Sequence, residues 1–334
     1  MYDVTVVFLG GGLASTAVIP VEIFHSAGAL WHELQGRPPQ PLFRVRTVTI
    51  DGGPVESPGG LRITPEAALT EVDRTDIVVV PTTGVEFDLR LAEAEAVLLP
   101  WLRKQYDQGA LITGICMGSA LIAEAGLLDG RTATAHWAMG DQLSERWPQV
   151  NWKPELFVTE DSRVICSGGL YASIDVSLYL VERLCGREIA VQCAKALLLP
   201  MPRMSQSGYA MTPVARDHED ERVHRAEAFL QANLERETPA RDLARMAGLG
   251  ERTFMRHFKA ATGRSPSDYL QTLRIEAAKA MLESGVKPVQ TISNEVGYVD
   301  LAFFRGLFKR ATGMTPVEYR AQFGPRIASV QSVA

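Results

Sequence analysis

The chain has 334 residues, 46% of them apolar and 22% charged, with a formal net charge of −5 and four cysteines. At roughly 150 residues per domain this length implies two units, and no apolar run approaches the roughly 20 residues that a membrane helix needs. Cys116, Cys166, Cys185 and Cys193 form no CxxC pair, which argues against a disulfide framework or a zinc site and fits a reducing cytoplasm.

The first residues, MYDVTVVFLGGG, carry no basic stretch ahead of the apolar ones, so the expectation is a protein that is not exported. VTVVFLG reads as a strand, VEIFHSAGALWHEL as a helix, FRVRTVTID and IVVVPTTG as strands, EAEAVLLPWLRKQYDQG as a helix, and ALITGIC as a further strand. RVICSGG and SIDVSLYLVERLCG continue the alternation. Short continuous apolar strands between amphipathic helices predict an α/β domain over residues 1–200, with a doubly wound parallel sheet covered on both faces.

Within it, GICMG at 114–118 has the form glycine, any residue, nucleophile, any residue, glycine, set between the strand ALITGI and the helix SALIAEAGLL. Such a strand-to-helix elbow leaves its central side chain exposed at the sheet edge, and the nearby helix N-terminus should stabilise the Cys116 thiolate. Cys116 then lines a ligand pocket, survives as a structural relic, or performs chemistry. His136, in TATAHW, can approach from a following strand as a base, a ligand contact or a member of a hydrogen-bond network. Asp175, at a helix start after SGGLYAS, is a cap or a ligand anchor. Cys166, Cys185 and Cys193 read as small buried apolar residues, and His25 and His32 as surface or packed side chains.

LLLPMPRMSQSGYAMTPVARDHEDE is rich in Pro, Met, Ser and Gly and then in charge, so residues 201–221 read as a linker, with the boundary near Thr212 to Glu221. A smaller all-α domain is expected over residues 222–325. Charge divides along the same lines: residues 1–239 carry 20 basic and 31 acidic side chains, and residues 240–334 carry 14 and 8. A basic C-terminal unit is suited to sit near phosphates.

That unit contains an internal repeat. FKAATGRSPSDY begins at Phe258 and FKRATGMTPVEY at Phe308, and Phe, Lys, Ala-Thr-Gly, Pro and Tyr recur at equal spacing. Upstream, LARMAGLGERTFMRHF aligns with ISNEVGYVDLAFFRGLF, each a short helix, a turn at Gly248 or Gly297, and a second helix. Leu243, Ala247, Leu249, Phe254 and Phe258 in the first copy, and Ile292, Val296, Tyr298, Phe304 and Phe308 in the second, are expected to be buried. A helix-turn-helix of this kind can project its second helix into a major groove about 12 Å wide. Between the copies, Ser265 as N-cap, Pro266 at the first helical position and Gly285 at the end mark one helix, with Leu270, Leu273, Ala277 and Met281 along a stripe.

VGYVDLAFFRGLFKRATGMTPVEYR and its partner copy resemble the C-terminal DNA-binding domain of the AraC/XylS regulators over about residues 220–323. The resemblance implies recognition helices near Glu251 to Lys259 and Asp300 to Lys309. Base-facing candidates are Arg252, Met255 and Arg256 in the first and Leu301, Ala302 and Arg305 in the second, with Lys259, Lys309 and Arg310 on phosphates. The second helix is unusually apolar for a base reader and is suited to shape, thymine-methyl or backbone contacts.

The first 199 residues resemble the PfpI/ThiJ branch of the class I glutamine amidotransferase-like superfamily, and more closely the sensor domain of GlxA-type AraC regulators. VVVPTTG, GICMG, ICSGGLYASIDVSLYLVERLCGREIA and TAVIPVEIFHSAG carry the likeness. Active members place His after the cysteine, where this chain has Met117. Other branches place a glutamate near the first strand, where it has Thr16, and a PGG turn at the oxyanion site, where it has Pro81-Thr82-Thr83-Gly84. The resemblance implies a sensor domain, often dimeric, and these departures point away from catalysis.

The combined expectation is a cytoplasmic, homodimeric regulator of transcription that binds double-stranded promoter DNA, needs no cofactor or metal, and responds to a small-molecule effector. Thr16, Thr82, Thr83, Cys116, Met117, His136 and Asp175 are the expected pocket residues. The resemblance points to nitrogen-containing effectors, and no residue selects one. The rival readings are a cysteine-dependent hydrolase or hydratase carrying a DNA-binding domain, and a redox sensor using Cys116.

Overall fold

Val4 to Val7, Ile77 to Val80, Leu111 to Ile115 and Val164 to Ser167 are buried at every position, as strands enclosed on both faces must be. The computed structural model describes residues 1–84, 91–210 and 218–325. It separates into two units, Met1–Gln206 and Ser207–Ala334.

The first unit runs β1 (Tyr2–Val7), α1 (Ser15–Ser26), α2 (Leu30–Glu33), β2 (Phe43–Thr49), β3 (Val55–Ser57), β4 (Leu61–Ile63), β5 (Ala67–Ala68), β6 (Ile77–Val80), α3 (Leu91–Asp107), β7 (Leu111–Ile115) and α4 (Gly118–Glu124). It continues with β8 (Thr132–Ala133), α5 (Gly140–Arg146), β9 (Asn151–Trp152), β10 (Val158–Asp161), β11 (Val164–Ser167), α6 (Ala172–Cys185) and α7 (Arg187–Ala196). The sheet order is β10-β11-β7-β6-β1-β2-β5. All neighbours pair in parallel except β10, which runs antiparallel to β11 at one edge. One helix group packs α1 on α6 and α6 on α7, and another packs α3 on α4 and β7. The chain leaves β1 for β2 and β5 and then returns to β6, so the switch in strand order falls between β1 and β6. The carboxyl ends of β1, β6 and β7 meet there, the usual place for a ligand in an open α/β sheet.

Residues 201–206, expected in the linker, are held within the first unit. Gln206 is buried and bonded to Gly169, Ala135, Pro154 and Leu156, and Ser205 bridges to Leu156. Most of the span expected to hold the boundary, 212–217, lies outside the described residues.

The second unit is all helical: α8 (Glu221–Ala232), α9 (Ala240–Met246), α10 (Glu251–Thr262), α11 (Pro266–Ser284), α12 (Val289–Glu295), α13 (Leu301–Thr312) and α14 (Pro316–Phe323). The repeated residues each solve the same local problem twice. Phe258 and Phe308 are fully buried and meet Tyr269 and Tyr319 edge-on, both at 5.4 Å between ring centroids. Thr262 and Thr312 return their hydroxyls to the carbonyls of Phe258 and Phe308, at 2.7 and 2.8 Å. Gly263 and Gly313 end α10 and α13 at φ 76° and 77°, the left-handed conformation that favours glycine. Pro266 and Pro316 then open the next helix behind the capping Ser265 and Thr315.

The expected stripe on α11 is only half realised. Leu270 and Leu273 are buried in the first motif's core, but Ala277 and Met281 are only partly buried. In the second half Ile275, Ala278 and Leu282 are buried instead, because one helix serves two cores on different sides.

Candidate functional site

The elbow is built as its glycines require. Cys116 sits at φ 56°, one of three non-glycine residues with positive φ among those described. A Cβ on Gly114 would lie 2.8 Å from the Ser119 backbone, and one on Gly118 would lie 2.1 Å from the Val80 carbonyl oxygen. Both glycines therefore permit β7, α4 and β6 to close on the cysteine. The loop after β11 needs glycine for the same reason: Cβ atoms on Gly168 and Gly169 would strike Gln206 at 2.2 Å and His136 at 2.3 Å.

The thiol itself departs from expectation. Cys116 is only 4% exposed, and burial pushes its thiol up. Hydrogen bonds from the Thr82 hydroxyl and the backbone of Met117, Leu170 and His136 oppose that rise without cancelling it. The thiolate stabilisation expected of the helix N-terminus is outweighed by desolvation.

Of the expected pocket residues, Thr82, Met117 and His136 converge on Cys116, the last two through their backbones. The Met117 side chain is buried in the core. The His136 ring is engaged elsewhere: its Nδ1 accepts the Ala138 N–H at 3.1 Å, and burial holds its pKa below the usual histidine value. Thr16 is fully buried, and its hydroxyl donates to the Leu13 carbonyl, so it does not replace the glutamate of other branches. Thr83 is half-buried on the loop after β6.

Asp175 is neither a cap nor a free ligand anchor. It is 2% exposed and accepts from Arg203 three times: from the backbone N–H at 2.7 Å, Nε at 3.2 Å and Nη2 at 2.7 Å. Arg203 and Gln206 thus strap the 168–175 segment from the stretch expected to be linker. Their polar type within an otherwise turn-rich run was the one signal that could have revealed them. Beside Thr82, a recess lined by Gly12, Leu13, Ala17, Ser57 and Pro81 has a volume of about 10 Å³, room for a single water.

On the helical unit, Arg252, Arg256 and Lys259 of α10 and Ala302, Arg305, Lys309 and Arg310 of α13 are exposed. Among the described residues none of these six cations enters an ion pair with a carboxylate. Met255 is half-buried on a groove edge. Leu301, expected to face bases, is half-buried and packs on the second core, while Phe303 is 53% exposed in its stead. The Asp300 carboxylate caps α13, accepting from Ala302 and Phe303 N–H at 2.8 and 3.1 Å, and this fixes which residues turn outward.

His218, His224 and Glu227 bring three ligand atoms within 4.8 Å of one another. Hydrogen bonds already join them: His218 Nδ1 accepts the Asp220 N–H, leaving Nε2–H to donate to Glu227 at 3.1 Å, while His224 Nε2–H donates to the His218 carbonyl at 2.7 Å and its Nδ1 lies 3.2 Å from the same Glu227 oxygen. The two rings stack at 4.0 Å and 15°, and the group forms a hydrogen-bond network at the start of α8.

Residues 19–183 match the model of the DJ-1/PfpI family, and residues 243–322 match that of a helix-turn-helix domain. The HTH-type transcriptional regulator CdhR of Pseudomonas aeruginosa is 29% identical over 281 residues, covering 84% of this chain and 82% of that protein. Protein dj-1beta of Drosophila melanogaster is 30% identical over 159 residues, covering 47% of this chain and 82% of that protein. A crystal structure from Vibrio parahaemolyticus, described as a regulator of transcription, matches with a TM-score of 0.52 at 25% sequence identity, over 59% of this chain and 98% of that one.

Proposed function

Since the chain belongs to the DJ-1/PfpI family and joins that domain to an AraC-type helix-turn-helix unit, it is a DNA-binding transcriptional regulator of the GlxA type, and we propose that a small-molecule effector held around Cys116 controls it. On this reading α10 and α13 are the recognition helices. Arg252 and Arg256 read base edges in one groove segment, and Ala302, Phe303 and Arg305 make apolar and polar contacts in the next. Met255 borders the first set, Leu301 supports α13 from below, and Lys259, Lys309 and Arg310 take phosphates. The observation that carries it is the pair of equivalent helices, 50 residues apart in sequence, whose cations stand exposed.

The effector site follows from the strand ends. The Thr82 hydroxyl and the N–H groups of Met117, Leu170 and His136 gather around the Cys116 sulfur, and on this reading a carbonyl or carboxylate oxygen of the effector draws on the same donors. Thr16, bonded to Leu13, and Asp175, strapped to Arg203, would act by holding their own segments in place, and Thr83 by its position next to Thr82. On this reading the effector enters as these loops part and widen the narrow recess next to Thr82, and its better fit to the parted arrangement is what would couple it to DNA binding.

We read the α/β domain as non-catalytic, because the thiol is pushed up and the His136 imidazole is turned to its own cap. A homodimer through this domain would present four reading helices to a two-fold operator, with the cytoplasm as the site of action. The test is genome-wide DNA selection with the full-length protein and its R252A/R256A variant at fixed salt. One enriched motif, lost or relaxed in the variant, supports the reading; equal enrichment by both overturns the assignment of α10. Loss of hydrolase or hydratase activity on Cys116→Ala would favour the enzymatic rival.

A further inference from the structure

The two copies of the motif are alike within themselves but not in how their turns are packed. Both turn glycines are left-handed, Gly248 at φ 67° and Gly297 at φ 87°. A Cβ on Gly248 would meet nothing within 4 Å, whereas one on Gly297 would lie 2.7 Å from the Glu235 carbonyl oxygen and 2.8 Å from Arg274 Nη2. The second turn is therefore pressed against the segment that follows α8, at the start of the first motif, with an arginine between them.

Arg274 lies midway along α11 and is 4% exposed. Among the described residues it has no carboxylate partner. Burial of an arginine in that condition is costly unless its donors and its positive face are satisfied otherwise. Its Nε donates to the Leu234 carbonyl at 2.7 Å, on the first motif's side. Its guanidinium lies 4.9 Å from the centroid of the Tyr298 ring, on the second motif's side, and Nη2 is buried without a partner. A groove of about 500 Å³ otherwise divides Met255 of the first recognition helix from Phe303 of the second, with Arg274 and Tyr298 in its lining.

We infer that Arg274 is a positioning residue for DNA reading: by joining the Leu234 carbonyl to the Tyr298 ring, it holds the two recognition helices at one separation and so selects one spacing between the two DNA segments. A planar guanidinium can bond in its plane on one side and stack on its face toward the other, which an ammonium group cannot do. The inference rests on the reading of α10 and α13 as recognition helices. Touching no DNA, Arg274 acts on spacing rather than on base identity.

The experiment uses the full-length protein and a DNA library in which the two selected segments are separated by a varied number of base pairs. Wild-type protein is compared with Arg274→Lys, Arg274→Gln and Tyr298→Leu, and each variant is first shown by circular dichroism and thermal unfolding to be folded. Wild type is expected to prefer one spacing. The variants should lose about tenfold at that spacing, the size of one charge-assisted hydrogen bond, with little change at neighbouring spacings, so that the preference flattens. Tyr298→Leu keeps the arginine and should flatten it as well, which leaves the inference testable if both Arg274 variants unfold. An unchanged spacing preference, or an equal loss at every spacing, overturns this inference alone. Failure of wild type to select any site overturns the DNA reading and this inference together.

Discussion

Cys116 should titrate as a suppressed thiol, and this one property separates a ligand-sensing elbow from a nucleophilic or redox one. Burial is the largest influence on it and acts upward, against the hydrogen bonds from Thr82, Met117, Leu170 and His136. With a pKa at or above the ordinary thiol value of about 8.5, the thiolate fraction at pH 7 is below about 3%, whereas an activated cysteine titrating near 7 or lower would be at least about half ionised. The assay is the ultraviolet absorbance of thiolate across a pH titration of the folded protein, taken as the difference between wild type and Cys116→Ser. The expected midpoint lies above that of an ordinary thiol. Thr82→Val should move it further up, since the hydroxyl is the strongest of the groups that favour the charged form. A midpoint below pH 8, or a downward shift in the Thr82 variant, would refute the argument and restore the enzymatic and redox readings. Cys166 and Cys193, both pushed up to about 11 by burial, should stay silent in the same range.

Phe308→Ala removes a fully buried ring that touches Phe304 and Tyr319, and should cost about 3–5 kcal/mol in a urea titration; under 1 kcal/mol would mean that the second motif has no rigid core. Gly248→Ala should cost only its left-handed strain, about 1 kcal/mol, while Gly297→Ala adds a clash with the Glu235 carbonyl worth about 1–3 kcal/mol more. Equal melting temperatures for these two variants would contradict the unequal packing of the two turns. Asp175→Asn should destabilise the first unit by about 3 kcal/mol, the low end for a broken buried ion pair because Arg203 keeps 30% of its side chain exposed; an unchanged thermal unfolding midpoint would show the strap to be dispensable.

Much of this protein is legible because its key residues solve local problems. The twelve-residue repeat predicts a buried Phe in each copy and, after the first, a capping serine and a proline start; the threonine tied back to its own helix and the left-handed glycine stop, which the structure adds, also depend only on neighbours a few residues away. GICMG predicts a strained turn because only glycines at both flanks allow the backbone to close. Elsewhere the outcome depends on partners remote in sequence. Asp175 sits in the first turns of α6 and resembles a cap, yet its partner is Arg203, 28 residues further on. Leu301 and Phe303 are both apolar on one helix, and the Asp300 cap together with the second core decides which is exposed.

By itself, then, the order of residues determined the alternation of strands and helices, the elbow backbone at Cys116 and the two helix-turn-helix motifs, because backbone preference and periodic burial act over a turn or two. Only the tertiary structure decided the ionisation of Cys116, the strap of Arg203 and Gln206, and the wedge of Arg274 between the motifs. Desolvation and ion pairing sum over groups that folding gathers from β6, β7, the loop after β11 and three separate helices, and no local pattern states which of these will meet.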